Sequence, residues 1–343
     1  MNILFSISSF TCETSINTAE KETVKILKKT HDVDFFEYGA LRKSLKKFIH
    51  SLIAIRELQK KKEYHIIHLN SAFDPKALFR DLLCIPMIRL VSGLPIFIKF
   101  HGSKPHLLKY PTYRILTRHL LKMVAGVGFL SSDEKSAFKF KFPDYKHFFS
   151  IKNSISKTNF PKDEKKDTVF EMLYVGRIVE SKGVVDLLEA FQCLDKNKDM
   201  ILHIVGDGII LKQLKEKYPI TSIIFYGHIT EEKVDELFHE ADIIILPTYH
   251  DEGLPNVILK ALAYGVPIIT TRIRGMKDYL SEKNCIFVDA KSPNQLCSAI
   301  EQLYENEDLR RKMSQNNRLV DTFLPEKVAE EYMNIYCEIL KTD

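Results

Sequence analysis

Short runs of β-branched and aromatic residues alternate along the chain with stretches whose apolar positions recur at helical spacing. In the first half the strand candidates are Ile3–Ile7, Asp34–Phe36, His65–Leu69, Pro95–Phe100, Ala125–Phe129 and His147–Ser150. Helical patterns lie between them at Asn17–Thr30, Leu41–Lys62, Pro75–Val91 and Tyr113–Met123. The rhythm breaks at Lys157–Lys166 (KTNFPKDEKK), a charged, proline-containing stretch that reads as a linker. It then restarts. Strands are predicted over Glu171–Val175, Met200–Val205, Ser222–Tyr226, Ile243–Pro247, Pro267–Thr270 and Cys285–Val288, and helices over Gly183–Leu194, Ile209–Lys217, Glu231–Glu240, Pro255–Tyr264 and Pro293–Asn306. Continuous apolar strands with helical crossovers imply parallel sheets covered on both faces. The pattern thus predicts two doubly wound, Rossmann-like α/β domains, residues 1–156 and 157–324. A last helix over Pro325–Lys341, after the second sheet is complete, is expected to return to the first domain, so that residues 325–343 join it. Ligands of such sheets sit beyond the carboxyl ends of the strands, and two domains facing each other that way would make a ligand cleft.

Composition narrows the class. The chain has 343 residues, 45% hydrophobic and 28% charged, the balance of a globular protein with a core large enough to need no staple. The six cysteines form no Cys-x-x-Cys pair, which argues against a zinc or redox motif and for reduced thiols in a cytoplasmic protein. Met1–Phe10 reads as a first strand rather than a signal peptide. Cys84–Phe100 is apolar but carries Arg89, Lys99, two prolines and a glycine, which suits a membrane span poorly. The net charge of +5 hides a split: residues 1–160 carry 27 Lys/Arg against 13 Asp/Glu, and residues 161–343 carry 23 against 32. A basic half joined to an acidic half suggests that the first half meets something anionic.

Four strand–loop junctions carry candidate chemistry. In Tyr174–Gly183 (YVGRIVESKG) a strand ends, Gly176 permits a turn, and Arg177 and Lys182 precede a helix; the pair could clamp phosphate oxygens or be solvated loop charges. Ile204–Gly208 (IVGDG) lacks the third glycine and the downstream acid of a dinucleotide fingerprint, and the first turn, Ile7–Thr11, has no glycine, so a nicotinamide dehydrogenase is disfavoured. In Asp251–Lys260 (DEGLPNVILK) Pro255 suits a first helical position, leaving the N–H groups of Asn256 and Val257 for an anion. Glu252 just ahead could accept from sugar hydroxyls or merely complement the helix dipole. In Lys99–Gly102 (KFHG), His101 followed by Gly102 at a carboxyl strand end is either a ligand contact or a structural histidine.

Taken together, in this order and at these spacings, the four segments resemble retaining glycosyltransferase family 4, which has the GT-B fold. The likeness is strongest from Glu171 to Ala290, and Ile151–Ser154 resembles the family's interdomain segment. The resemblance implies that the second domain holds a nucleoside-diphosphate sugar. Arg177 and Lys182 would neutralise the diphosphate. Backbone groups of Gly253, Leu254, Pro255, Asn256 and Val257 would take the sugar and distal phosphate, and Glu252 the hydroxyls of the transferred sugar. His101, with Gly102, would line the pocket near the reacting carbon. It also implies retention by front-face attack, with the leaving phosphate taking the acceptor proton. No metal or other cofactor is expected, in keeping with the missing Asp-x-Asp motif. Two departures stand out. The family's second motif Glu, which accepts from the ribose, is Lys260 here, and an ammonium only donates, so either the ribose is held otherwise, or donor affinity is weak, or Lys260 binds the donor through its phosphate. The first loop reads Ser8-Ser9-Phe10-Thr11, where many members have a glycine pair.

The excess of cations adds a partner. Leu41–Lys62 sets Leu41, Leu45, Phe48, Ile49, Leu52, Ile55 and Leu58 on helical spacing beside Arg42, Lys43, Lys46 and Lys47, and Lys104–Lys122 forms a second basic stretch with Tyr110 and Tyr113. These faces would dock on an anionic membrane near a lipid-linked acceptor, or the apolar stripe is simply core. Nucleic acid fits less well, since no recognition motif accompanies the charge. The leading expectation is transfer of a hexose from a nucleotide sugar, UDP-sugar favoured, to a glycan or lipid-linked acceptor, at the inner face of the plasma membrane. A catalytically weak GT-B subunit, which Lys260 would explain, and a nucleotide-sugar epimerase are the alternatives.

Overall fold

The computed structural model describes residues 1–7, 18–38, 45–156, 169–194, 199–250, 253–318 and 321–342. The chain divides into two compact units: Met1–Ile155 with Asp251–Leu254 and Thr322–Asp343, and Ser156–His250 with Pro255–Asp321. The proposed linker, Lys157–Lys166, lies outside the described residues.

The first unit alternates β1 (Asn2–Ile7), α1 (Thr18–Thr30), β2 (Asp32–Glu37), α2 (Leu45–Lys61), β3 (Ile66–Phe73), α3 (Pro75–Ser92), β4 (Ile96–Ser103), α4 (Pro111–Leu121), β5 (Gly126–Phe129), α5 (Ser132–Lys141) and β6 (Phe148–Ser150). Its sheet has the order β2-β1-β3-β4-β5-β6, and every pair is parallel. Successive strand residues serve opposite faces: Leu4 joins the core beneath α2 and α3, while Ile3 and Phe5 join the core beneath α1 and the last helix of the chain. That last helix, α13 (Pro325–Thr342), packs on α1 and sinks Tyr332 and Tyr336 into this core.

The second unit runs β7 (Phe170–Val175), α6 (Val184–Gln192), β8 (Met200–Val205), α7 (Leu211–Lys217), β9 (Ile223–Gly227), α8 (Glu231–Glu240), β10 (Ile243–Leu246), α9 (Asn256–Tyr264), β11 (Ile268–Thr271), α10 (Arg274–Tyr279), β12 (Cys285–Val288), α11 (Pro293–Glu305) and α12 (Glu307–Arg318). Its six parallel strands follow the order β12-β11-β10-β7-β8-β9. The sequence order reverses between β7 and β10. That is the topological switch point, where the loops leaving two adjacent strands turn apart and open a crevice.

The strand expectations agree with the structure to within a few residues. β4 runs three residues past Phe100, to Ser103, so His101 and Gly102 lie within the strand, just before its last residue. Three helices had no counterpart in the sequence reading: α5, α10 and α12.

A buried polar cluster joins four elements of the first unit. The ammonium of Lys99 (β4), fully buried, donates to Glu20 of α1 at 3.0 Å, to Asn153 at 3.1 Å and to the Tyr332 hydroxyl at 2.8 Å, and Tyr332 in turn donates to Glu20. Burial alone would raise the Glu20 carboxyl, but Lys99 and then His101 hold it well below the usual carboxylate range. His68 on β3 stacks on Phe5 and bonds the Tyr336 hydroxyl at 2.6 Å. Burial pushes this histidine down from 6.5 to about 4. It therefore stays neutral in the fold while the unfolded chain takes up a proton below 6.5. Its stabilising contribution is complete above that pH and is lost as pH falls toward 4. We expect stability to drop by about 2 kcal/mol between roughly pH 6.5 and 5 from this group. Urea melts across that window should show a shallower pH slope for His68→Gln; an unchanged slope would contradict the assignment.

Candidate active site

In the second unit the loops that leave β7 and β10 lie against each other. After Val175 the chain passes Gly176 and Arg177, makes a 3-10 turn over Glu180–Lys182, and enters α6 through Gly183. Gly183 is left-handed (φ 73°), and a Cβ there would come within 2.2 Å of the Pro247 carbonyl oxygen, so no other residue fits this approach. Past β10, Tyr249 donates its N–H to the Ser181 carbonyl at 2.9 Å, and the Thr248 hydroxyl donates to the same oxygen at 3.3 Å. Next door, the loop after β8 buttresses the first one. Ile178 donates to the Asp207 carbonyl at 2.9 Å, and Gly206 (φ 133°) allows a contact with the Gly176 carbonyl that a Cβ would block at 1.9 Å.

This packing sets the cations. Arg177 is exposed, and its Nη2 donates to His250 Nε2 at 3.1 Å, while His250 Nδ1 lies 3.2 Å from the Ser181 hydroxyl. An Nε2 that accepts from arginine leaves the proton on Nδ1, directed at Ser181. Lys182, by contrast, is 7% exposed, so its stem is packed. One cation is thus orientable at the rim and the other is held inside. His250 and Ser181 were missed in the sequence reading. A lone histidine after a strand carries no signal, and its partner lies 73 residues away in sequence.

The same turn leads to α9. Pro255 is the N-cap rather than the first helical residue, with φ −63° and ψ 138°, and Asn256 and Val257 open the helix. N–H groups in a helix's first turn have no partner within the helix and carry the positive end of its dipole. The structure therefore brings Arg177, Lys182 and the α9 entry to the carboxyl ends of β7 and β10. Glu252, with Asp251, lies outside the described residues, as does the Ser8–Thr11 turn. Gly253 and Leu254 group with the first unit; Leu254 is buried, and a Cβ on Gly253 would come within 2.7 Å of the Leu130 Cβ.

Lys260, on the second turn of α9, turns its ammonium to α8. It forms ion pairs with Glu231 and, at 2.7 Å, with Asp235, and it lies over the Phe238 ring. It works there as a helix–helix clasp. Lys260→Glu would set three carboxylates together, and we expect it to lower the stability of this unit by about 1–2 kcal/mol. A urea melt at least as stable as wild type would contradict the clasp.

In the first unit His101 donates from Nε2 to Asn70 Oδ1 at 2.7 Å and lies 3.5 Å from Glu20. The same Asn70 oxygen is 3.1 Å from His68 Nε2, and the Asn70 amide nitrogen faces the Ser6 carbonyl. A carbonyl oxygen only accepts, so both imidazoles carry their proton on Nε2. Among the described residues, His101 Nδ1 is buried with no hydrogen-bond partner. A Cβ on Gly102 would meet nothing within 4 Å.

Two parallel six-stranded sheets with helical crossovers are the GT-B fold. Residues 156–320 match the family model for glycosyl transferases group 1. The chain is 26% identical over 275 residues, covering 76% of it and 74% of the relative, to the GalNAc-alpha-(1->4)-GalNAc-alpha-(1->3)-diNAcBac-PP-undecaprenol alpha-1,4-N-acetyl-D-galactosaminyltransferase of Campylobacter jejuni. Other relatives are matched over about a third to a half of their length. Among solved structures, a glycosyltransferase of Rickettsia africae superposes with a TM-score of 0.77 at 19% identity, covering 100% of this chain and 99% of that one. Anabaena HepE in complex with UDP and glucose superposes with a TM-score of 0.73 at 16% identity, covering 97% and 98%. At these identities the likeness to solved structures is one of fold.

Proposed function

We propose that the protein transfers a sugar from a nucleoside diphosphate, UDP-sugar favoured, to a glycan or lipid-linked acceptor, with retention of configuration. The observation that carries this reading is the convergence of Arg177, Lys182 and the α9 entry at the β7/β10 switch point. As the bond from the anomeric carbon to the diphosphate oxygen breaks, charge grows on the leaving diphosphate. The two cations and the helix dipole stabilise that charge where a metal would otherwise do so. The acceptor hydroxyl attacks the same face of the sugar. Its proton passes to the departing phosphate oxygen, so charge and atoms balance without a separate base. As the family resemblance implies, Glu252 is assigned to hydroxyls of the transferred sugar and His101 to the neighbourhood of the reacting carbon. The HepE complex with UDP and the undecaprenol-linked acceptor named for the Campylobacter relative support a UDP donor and a lipid-linked acceptor. An acceptor of that kind places the work at the cytoplasmic face of a membrane.

The test is incubation with labelled UDP-, GDP- and ADP-sugars. Slow release of free sugar from one donor, accelerated by a lipid-linked acceptor, is the expected result. An altered sugar still attached to its nucleotide would mean an epimerase, and absence of any nucleotide binding a non-catalytic subunit.

A further inference from the structure

Helix α3 reads PKALFRDLLCIPMIRLVS and is apolar all round. Its inner side, Leu78, Cys84, Ile85 and Ile88, is buried in the first unit's core. Its outer side is not covered: Phe79 is 67% exposed, Leu83 46%, Met87 44% and Leu90 85%. Helices apolar on every side belong inside a protein or against lipid, not in water. The neighbours of α3 on the same sheet face continue the pattern. On α2, Phe48, Leu52 and Ile55 are core, so the apolar stripe seen in the sequence is structural, but Ile49 and Ile53 point outward. On α4, Ile115 and Leu116 are exposed. Contiguous exposed apolar surface of this kind marks an interaction site.

Charge decides the partner. Residues 45–61, 75–92 and 104–122, which hold these three helices, contain two acids: Asp81, fully buried against Arg80, and Glu57, which is exposed and paired with Lys60. Their cations are solvent-facing: Lys46 and Lys47 on α2, Lys76 and Arg89 on α3, Arg118 on α4. A second copy of the same face would set cations against cations. An anionic bilayer meets both features, with apolar side chains entering the acyl boundary and cations held at the headgroups. Among the described residues, no helix is long and apolar enough to cross a membrane. We infer that the outer face of α2, α3 and α4 is a membrane-docking surface for anionic lipid, with α3 as the element that enters the bilayer.

This goes beyond the donor reading and is tested apart from it. The intact protein is floated with vesicles of phosphatidylcholine alone or mixed with phosphatidylglycerol, at low and high salt. Binding is expected only with phosphatidylglycerol and weaker at high salt. Phe79→Ser with Leu90→Ser should lower it roughly tenfold or more, and Lys46→Ser with Lys47→Ser several-fold. Ile209→Ser, which removes a 91% exposed side chain in the second unit, should leave it unchanged. Equal binding to both vesicles, or binding indifferent to the α3 substitutions, overturns the inference. So does a lipid-free dimer, seen by sedimentation, that those substitutions dissociate. Nucleotide affinity of the same variants, expected to stay at the wild-type value, separates failure of docking from failure of the donor site.

Discussion

Arg177→Ala is expected to lower sugar transfer by about 10²–10³-fold while the protein stays folded, because in the proposed mechanism the guanidinium acts on charge that develops as the sugar leaves. The side chain is exposed, so its removal opens no cavity. Most of the loss should appear in kcat, since the ground-state diphosphate is still held by Lys182 and the α9 entry. Lys182→Met keeps the packed stem and removes only the charge, and should show a similar loss. His250→Ala should cost less, because it frees the guanidinium without deleting it. Glu252→Ala is expected to abolish turnover in the same way. Steady-state rates with the active donor check the set; near-normal turnover in Arg177→Ala or Glu252→Ala would remove those residues from the site.

The second large effect is on stability. Glu20→Gln leaves the fully buried Lys99 ammonium with neutral partners only, and the first unit should lose about 3–5 kcal/mol. Joining it to Lys99→Met removes the stranded charge, and the double variant should recover most of that loss. The readout is urea unfolding of the two variants beside wild type. A single variant as stable as wild type would show that Lys99 gives up its proton or reaches water. The same cluster ties α13 to α1 and β4 through Tyr332, so damage at Glu20 should also loosen the C-terminal helix.

The strands were legible because parallel strands covered on both faces are continuous apolar runs, as in Ile243–Leu246. The missed helices lack that signal. α12, EDLRRKMSQNNR, buries only Met313 and Asn317 among its residues, and α5 owes its start to a Ser131 cap rather than to an apolar stripe. The loop between β7 and α6 was legible as a cationic strand–loop–helix junction. Its companion loop was not, because strand order is a long-range property and nothing local says that β10 lies beside β7. Lys260 was visible as a departure from a motif, yet its engagement with Glu231 and Asp235 depends on how α8 meets α9. Lys99 shows the limit most clearly. A lysine in an apolar strand is unremarkable in sequence, and its counter-ion lies 79 residues away.

If the β7 and β10 loops hold a diphosphate, affinity must depend on the phosphates and on Arg177 and Lys182 together. The direct measurement is calorimetric titration of the protein with the nucleoside diphosphate it prefers and with the matching nucleoside. Wild type should bind the diphosphate about a hundredfold or more tighter, as charge-assisted bonds to both phosphates imply, and the Arg177→Ala/Lys182→Met double variant should lose most of that gap. A gap that survives the double variant, or equal affinity for nucleoside and nucleoside diphosphate in wild type, would contradict the account.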